Sequence, residues 1–135
     1  MPEKRTIEKA KAALREGKRP TTAAGAFVEE ELEHVRRGKH GARSPKQAIA
    51  IGLSKARRAG VPLPPPAKGR VTERTRRSAE SAYEIGQKKR RPKAPSKRRS
   101  AAVRGALKRE RKSSASKSEL SAQAKRAAAR KRPRA

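Results

Sequence analysis

Apolar positions in this chain recur at helical spacing, and nowhere with the strict alternation of a strand. Ile7, Ala10 and Leu14 fall at i, i+3 and i+7, predicting a short helix over about 4–16 that Gly17 and Pro20 terminate. Thr21 or Thr22 can cap a second helix running to about Arg37, with Ala24, Val28, Leu32 and Val35 on one face beside Phe27, and Gly38 as its stop. The stretch Ser44–Val61 is the best specified. Ser44 is placed as N-cap, Pro45 as the first helical residue, and Gln47 as the return partner of a capping box. Gly60 suits the left-handed C′ position, with Val61 placed to touch Ala56 as in a Schellman ending. Ile49, Gly52, Leu53 and Ala56 share the apolar face between those ends.

Beyond Val61 the pattern thins. Val61-Pro62-Leu63-Pro64-Pro65-Pro66 reads as a polyproline II spacer. Three weaker helical patches follow: Thr72 to Ile85, Ser96 to Glu110, and a helix opened by the second capping box, Ser116-Lys117-Ser118-Glu119, continuing through about Arg130. Between them lie Lys88-Lys89-Arg90-Arg91-Pro92-Lys93 and Lys97-Arg98-Arg99. Like-charge repulsion, with no broad apolar face to offset the ordering entropy, predicts patches that are only transiently helical. The expected fold is mostly α: a small N-terminal helical hairpin or three-helix module (1–61), a Pro-rich spacer (62–69), and a largely disordered, partly helical basic tail (70–135).

Composition reinforces this division. Forty Lys and Arg against twelve Asp and Glu leave a formal charge of +28, and residues 67–135 hold 25 of the cations with only five acids. Ile, Leu, Val and Phe number 16 in 135 residues, well under the roughly 20% below which a highly charged chain is expected to be disordered. So little core material makes an enzyme pocket the least expected feature. The absence of Cys excludes disulfides and thiolate zinc sites. No apolar run approaches the length of a membrane span.

Such a charge excess calls for a polyanionic partner, with nucleic acid first. The connector Arg36-Arg37-Gly38-Lys39-His40-Gly41-Ala42-Arg43 leads straight into a helix N-terminus. Backbone amides, the helix dipole and several cations converge there on a position that suits a phosphate. Lys46 lies in the first turn of that helix, and Lys55, Arg57 and Arg58 end it, about 20 Å from Ser44 at 1.5 Å per residue. The candidate nucleic-acid contacts are therefore Arg36, Arg37, Lys39, His40, Arg43, Lys46, Lys55, Arg57 and Arg58, joined by Lys88, Lys89, Arg90, Arg91, Lys93, Lys97, Arg98 and Arg99 of the second half. A helix-turn-helix would need base-reading side chains on the capped helix, which offers small or cationic ones instead. Phe27 and Tyr83 are the sole aromatics, too few to stack single-stranded bases. His34 and His40 could be drawn with Glu30 and Glu33 as a metal site, but one lies on a charged helix and the other in a loop, so the sequence predicts no metal and no cofactor.

Thr21 to Glu30, the block Gly38-Lys39-His40-Gly41-Ala42-Arg43-Ser44-Pro45-Lys46-Gln47-Ala48-Ile49-Ala50-Ile51-Gly52-Leu53-Ser54-Lys55-Ala56-Arg57-Arg58-Ala59-Gly60, and the later runs Ser81–Gly86 and Leu120–Lys125 resemble an uncharacterised family of small, highly basic bacterial proteins. The resemblance implies a bacterial cytoplasmic setting and no chemistry. The functional expectation rests on charge alone: a nucleoid-associated type of protein that binds DNA through its phosphates with little sequence preference. RNA or ribosome association is the alternative partner, and a disordered stress-protection or protein-interaction role the alternative class. No residue pattern specifies an oligomeric state.

Overall fold

The computed structural model describes residues 3–131, so the outermost residues of the expected module and tail, 1–2 and 132–135, lie outside the described residues. Six α-helices occur among the described residues: α1 (Lys4–Arg15), α2 (Pro20–Arg36), α3 (Pro45–Arg58), α4 (Glu73–Gly86), α5 (Lys97–Arg109) and α6 (Lys117–Lys131), with a 3₁₀ turn at Ser113–Ala115. They form two compact units that interleave along the chain. One comprises residues 1–30 and 50–94, the other 31–49 and 95–135.

The helix ends follow from their local residues. At α3, the Gln47 amide donates to Ser44 Oγ (3.3 Å), and the Gln47 side chain returns to accept from the Arg43 amide (2.6 Å), one residue outside the usual capping-box partner. At its other end Gly60 has φ +104°, the Gly60 amide donates to Arg57 O (3.1 Å) and the Val61 amide to Ala56 O (3.1 Å). That pair is the Schellman motif. The same pair of bonds ends α4 after Gly86, but there the left-handed residue is Lys88 (φ 62°), whose side chain makes that conformation costly.

In the first unit Phe27 is packed among Ala10, Ala23, Ala24, Ala56, Val61 and Leu63, with Ile7, Leu14 and Leu53 around them. Val61 and Leu63 of the Pro-rich segment thus lie within the core. The buried Arg57 guanidinium donates to the carbonyls of Leu63 (3.2 Å) and Pro64 (3.3 Å), holding that segment against α3. The end of α4 docks on the end of α3. A Cβ built on Gly86 would fall 1.7 Å from Arg57 O, and Gln87 Nε2 donates to Gly60 O (3.2 Å).

The second unit is smaller still, with Val35, Ala42, Ala48 and Ala115 buried together beside Leu32. The Gly41 amide donates to Leu107 O (2.7 Å) and the Ala42 amide to Arg111 O (3.0 Å). A Cβ on Gly41 would meet Glu110 O at 1.9 Å, so only glycine permits this approach. Ser114 is buried with its hydroxyl donating to Ala42 O.

These observations overturn the expectation of a largely disordered tail with transient helices. Helices of 14, 13 and 15 residues occupy 73–131. Three physical terms oppose the charge repulsion. Each helix has a side-chain cap, Thr72 Oγ1, Ser96 Oγ and Ser116 Oγ accepting from the amides of Thr75, Arg99 and Glu119, each worth about 1 kcal/mol. Alanine, with 25 residues in the chain, supplies the highest helix propensity. And α4 and the segment after α5 are bonded to elements of the N-terminal half within their own units.

Two outcomes follow for stability. Gly41→Ala and Gly86→Ala should each lower the unfolding free energy by about 1–3 kcal/mol or more through forced backbone displacement, while Lys88→Gly should raise it by about 0.5–1 kcal/mol; denaturant titration measures all three. On α4, the hydrogen bonds from Arg76 hold the Glu73 carboxyl below its ordinary value near 4.5, and Arg76 is correspondingly raised. A depressed carboxyl contributes stability that is present above its unfolded value and is lost as pH falls through the folded one. Acid titration followed by NMR should show Glu73 protonating below the ordinary glutamate value near 4.5, and Glu73→Gln should remove that part of the acid sensitivity.

Candidate nucleic-acid interface

The distribution of charge between interior and surface is the site's main property. Of the Lys and Arg whose side chains are described, all but Lys55, Arg57 and Arg76 are exposed. The acids are less uniformly exposed: Glu30 and Glu31 are buried, Glu33, Glu80, Glu84, Glu110 and Glu119 are half-buried, and Glu3, Glu8, Glu16, Glu29 and Glu73 are exposed. Glu30 accepts from the Glu3 amide (2.7 Å), and Glu31 Oε1 lies 2.8 Å from His40 Nε2. Glu33 pairs with Arg36 (2.9 Å) and Arg37 (3.5 Å). Folding therefore withdraws negative charge and leaves the cations outside, so the surface excess is steeper than the composition.

The connector before α3 is built differently from a phosphate cradle. Its Gly41, Ala42 and Arg43 amides are bonded to Leu107, Arg111 and Gln47 respectively, and Gly41 serves backbone packing. What remains for a polyanion is side chains: Lys39, Arg43 and Lys46 are exposed. Arg36 is directed to Ala115 O (3.1 Å) and Glu33, and Arg37 shares Glu33. His40 is turned inward to Glu31, its side chain 17% exposed.

At the far end of α3 the three cations separate. Arg58 is exposed, Lys55 is half-buried, and Arg57 is buried against the Pro-rich segment, where burial pulls its guanidinium below the ordinary value. Arginine stays charged regardless. In the second half Lys88, Lys89, Arg90, Arg91, Lys93, Lys97, Arg98 and Arg99 are all exposed, on an uninterrupted exposed stretch from 88 to 99. Arg90 is tied to Glu84 (3.2 Å) and Ser81 (3.2 Å).

The sequence expectation included the α5 patch and Lys97 but left out Arg104 and Lys108. That helix has no buried residue, and Lys97, Arg104 and Lys108 fall at i, i+7 and i+11, along one face. At about 1.5 Å per residue they form a cationic stripe about 16 Å long. That spacing was the available signal; the clustered runs before it drew attention instead.

Two histidines that sequence separation argued apart also meet. Glu31, His34 and His40 each offer a ligand atom, all within 4.8 Å of one another.

Residues 4–68 match the model of a family of unknown function, DUF6496. This bears out the resemblance to an uncharacterised family. The DUF6496 match spans α1 to α3 and the Pro-rich segment, and the runs at 81–86 and 120–125 lie past it. No curated protein and no solved structure matches the chain. No helix among the described residues is long and apolar enough to cross a membrane.

The division between Arg57 and Arg58 is directly testable. Arg57→Leu should lower stability by about 1–3 kcal/mol, because two carbonyls lose a charged donor. Arg58→Ala should leave stability within about 0.5 kcal/mol. Thermal melts of the two variants should separate by that margin.

Proposed function

We propose that this protein binds DNA through phosphate contacts with little sequence preference, as a nucleoid-associated type of protein. The single observation that supports the reading is the partial sorting of charge: seven of the twelve acids are buried or half-buried, while all but three of the described cations are exposed. Lys39, Arg43, Lys46 and Arg58, the exposed run from Lys88 to Arg99, and the α5 stripe of Lys97, Arg104 and Lys108 are the contacting groups. Long cationic side chains on helices follow a phosphate backbone without reading base edges, since phosphates position and bases specify. The exposed residues of α5 are Lys, Arg, Ala and Val, none of which offers the Asn or Gln amide that pairs bidentately with adenine.

Binding of this kind is driven by counterion release, so log affinity falls linearly with log salt at roughly 0.9 per neutralised phosphate. Replacing Lys97, Arg104 and Lys108 together by Gln should lower affinity for random duplexes and reduce the salt slope by about 2–3, the equivalent of three contacts. Fluorescence anisotropy across a salt series measures both. A wild-type slope near zero, or an unchanged slope in the triple variant, contradicts the reading. Preference for structured RNA over duplex DNA at equal salt would transfer it to RNA.

A further inference from the structure

The chain contains two histidines and no cysteine, and both imidazoles lie in one cluster with a buried carboxylate. Local geometry brings them there. Glu31 and His34 are three residues apart on α2, hence on one face of it. Gly38 turns the chain in the left-handed conformation and the Lys39 amide bonds back to His34 O (3.0 Å), so the next residue, His40, is folded over the same end of the helix. The His40 Nδ1 lies 2.8 Å from Gly41 O, and Gly41 is itself pinned by Leu107.

Hydrogen-bond chemistry then constrains what sits between His40 and Glu31. A carbonyl oxygen only accepts, so His40 Nδ1 carries a proton and donates to Gly41. The other ring nitrogen, Nε2, faces Glu31 Oε1 at 2.8 Å. In the neutral ring that atom is a lone-pair acceptor opposed to a carboxylate, which is repulsive. A positive species must lie between them, either a second proton or a metal ion. The His34 ring stands edge-on to that of His40 (centroids 6.2 Å apart, planes at 80°), with its ligand atom within 4.8 Å of the other two, so that all three could share one metal ion. An Nδ1–H held by a backbone carbonyl is the support that ligating histidines commonly have.

We propose that Glu31, His34 and His40 form a binding site for a divalent transition-metal ion of the zinc type. Two imidazoles and a carboxylate suit zinc, and three protein ligands leave a fourth position for water or a partner's group. Metal bonds of about 2.0–2.2 Å in a tetrahedron need ligand atoms about 3.4 Å apart. The cluster reaches this by opening the 2.8 Å Glu31–His40 contact slightly and drawing His34 inward. Glu31 is buried, so the ion would bridge α2 and the loop beside the small Val35–Ala42 core. The site is independent of the nucleic-acid reading.

The test is titration of ZnCl₂ into the untagged, metal-stripped full chain by calorimetry, with the two histidine ring systems followed by NMR. One equivalent should bind, both imidazoles should shift together, and the melting temperature should rise, reversibly with EDTA. His34→Ala is the decisive variant because it leaves the His40–Glu31 contact intact. It should weaken zinc binding by about 10–100-fold or more. His40→Ala should abolish one-equivalent binding, and Glu31→Gln serves the same purpose if that variant fails to fold. Absence of saturable binding to the wild type, a shift of only one imidazole, or unaltered affinity in His34→Ala would overturn the proposal and leave a histidinium–carboxylate pair.

Discussion

Close approach of one backbone to another is the constraint on which this structure depends. Alanine dominates both cores, and an alanine side chain buries too little area to hold helices at ordinary separation. Elements must therefore come near enough for main chains to touch, and residues without a Cβ make the touching points. In the first unit Gly86 sets the end of α4 on the Arg57 carbonyl. In the second, Gly41 sets the loop before α3 on the Glu110 carbonyl and exchanges its amide bond with Leu107. Each contact joins a basic segment of the second half to a better-patterned segment of the first, and so each supports helices that would otherwise fray from their own charge.

The arrangement also explains how +28 of charge is compatible with folding. Acids are few and are placed where they count. Glu30 and Glu31 sit inside, each with a hydrogen-bond partner, while Glu73 and Glu80 bracket Arg76 on α4. Exposed ion pairs of this sort contribute little individually; what matters is that the remaining cations are spread over helix surfaces and long enough to remain hydrated. A polyanion would relieve the repulsion that is left, which is why affinity and stability should rise together on binding.

Much of the secondary structure was legible in the sequence, because caps are local. Ser44, Gly60 and Ser116 each act at the end where they were expected, and Thr72 and Ser96 cap the patches they open, whereas α2 starts at Pro20, ahead of the expected cap at Thr21 or Thr22. The tertiary role of the second half was not legible. Its periodic apolar positions are few, and its anchoring passes through backbone atoms of Gly41, Gly86, Leu107 and Arg111, which carry no side-chain signature. The candidate interface was legible in part. The run from Lys88 to Arg99 is exposed, but counting cations could not show that Arg57 would be turned to the carbonyls of Leu63 and Pro64, or His40 to Glu31. The α5 stripe needed spacing, not density, to be seen.

The central claim is that the basic second half is folded by these backbone contacts within the chain itself, with no nucleic acid required. Amide hydrogen exchange on the nuclease-treated, nucleic-acid-stripped protein tests it most directly. The account predicts protection of the Gly41 and Ala42 amides together with those of α4 and α5, on a common scale of opening. Exchange at unstructured-peptide rates throughout 73–131, with protection confined to α1–α3, would contradict it.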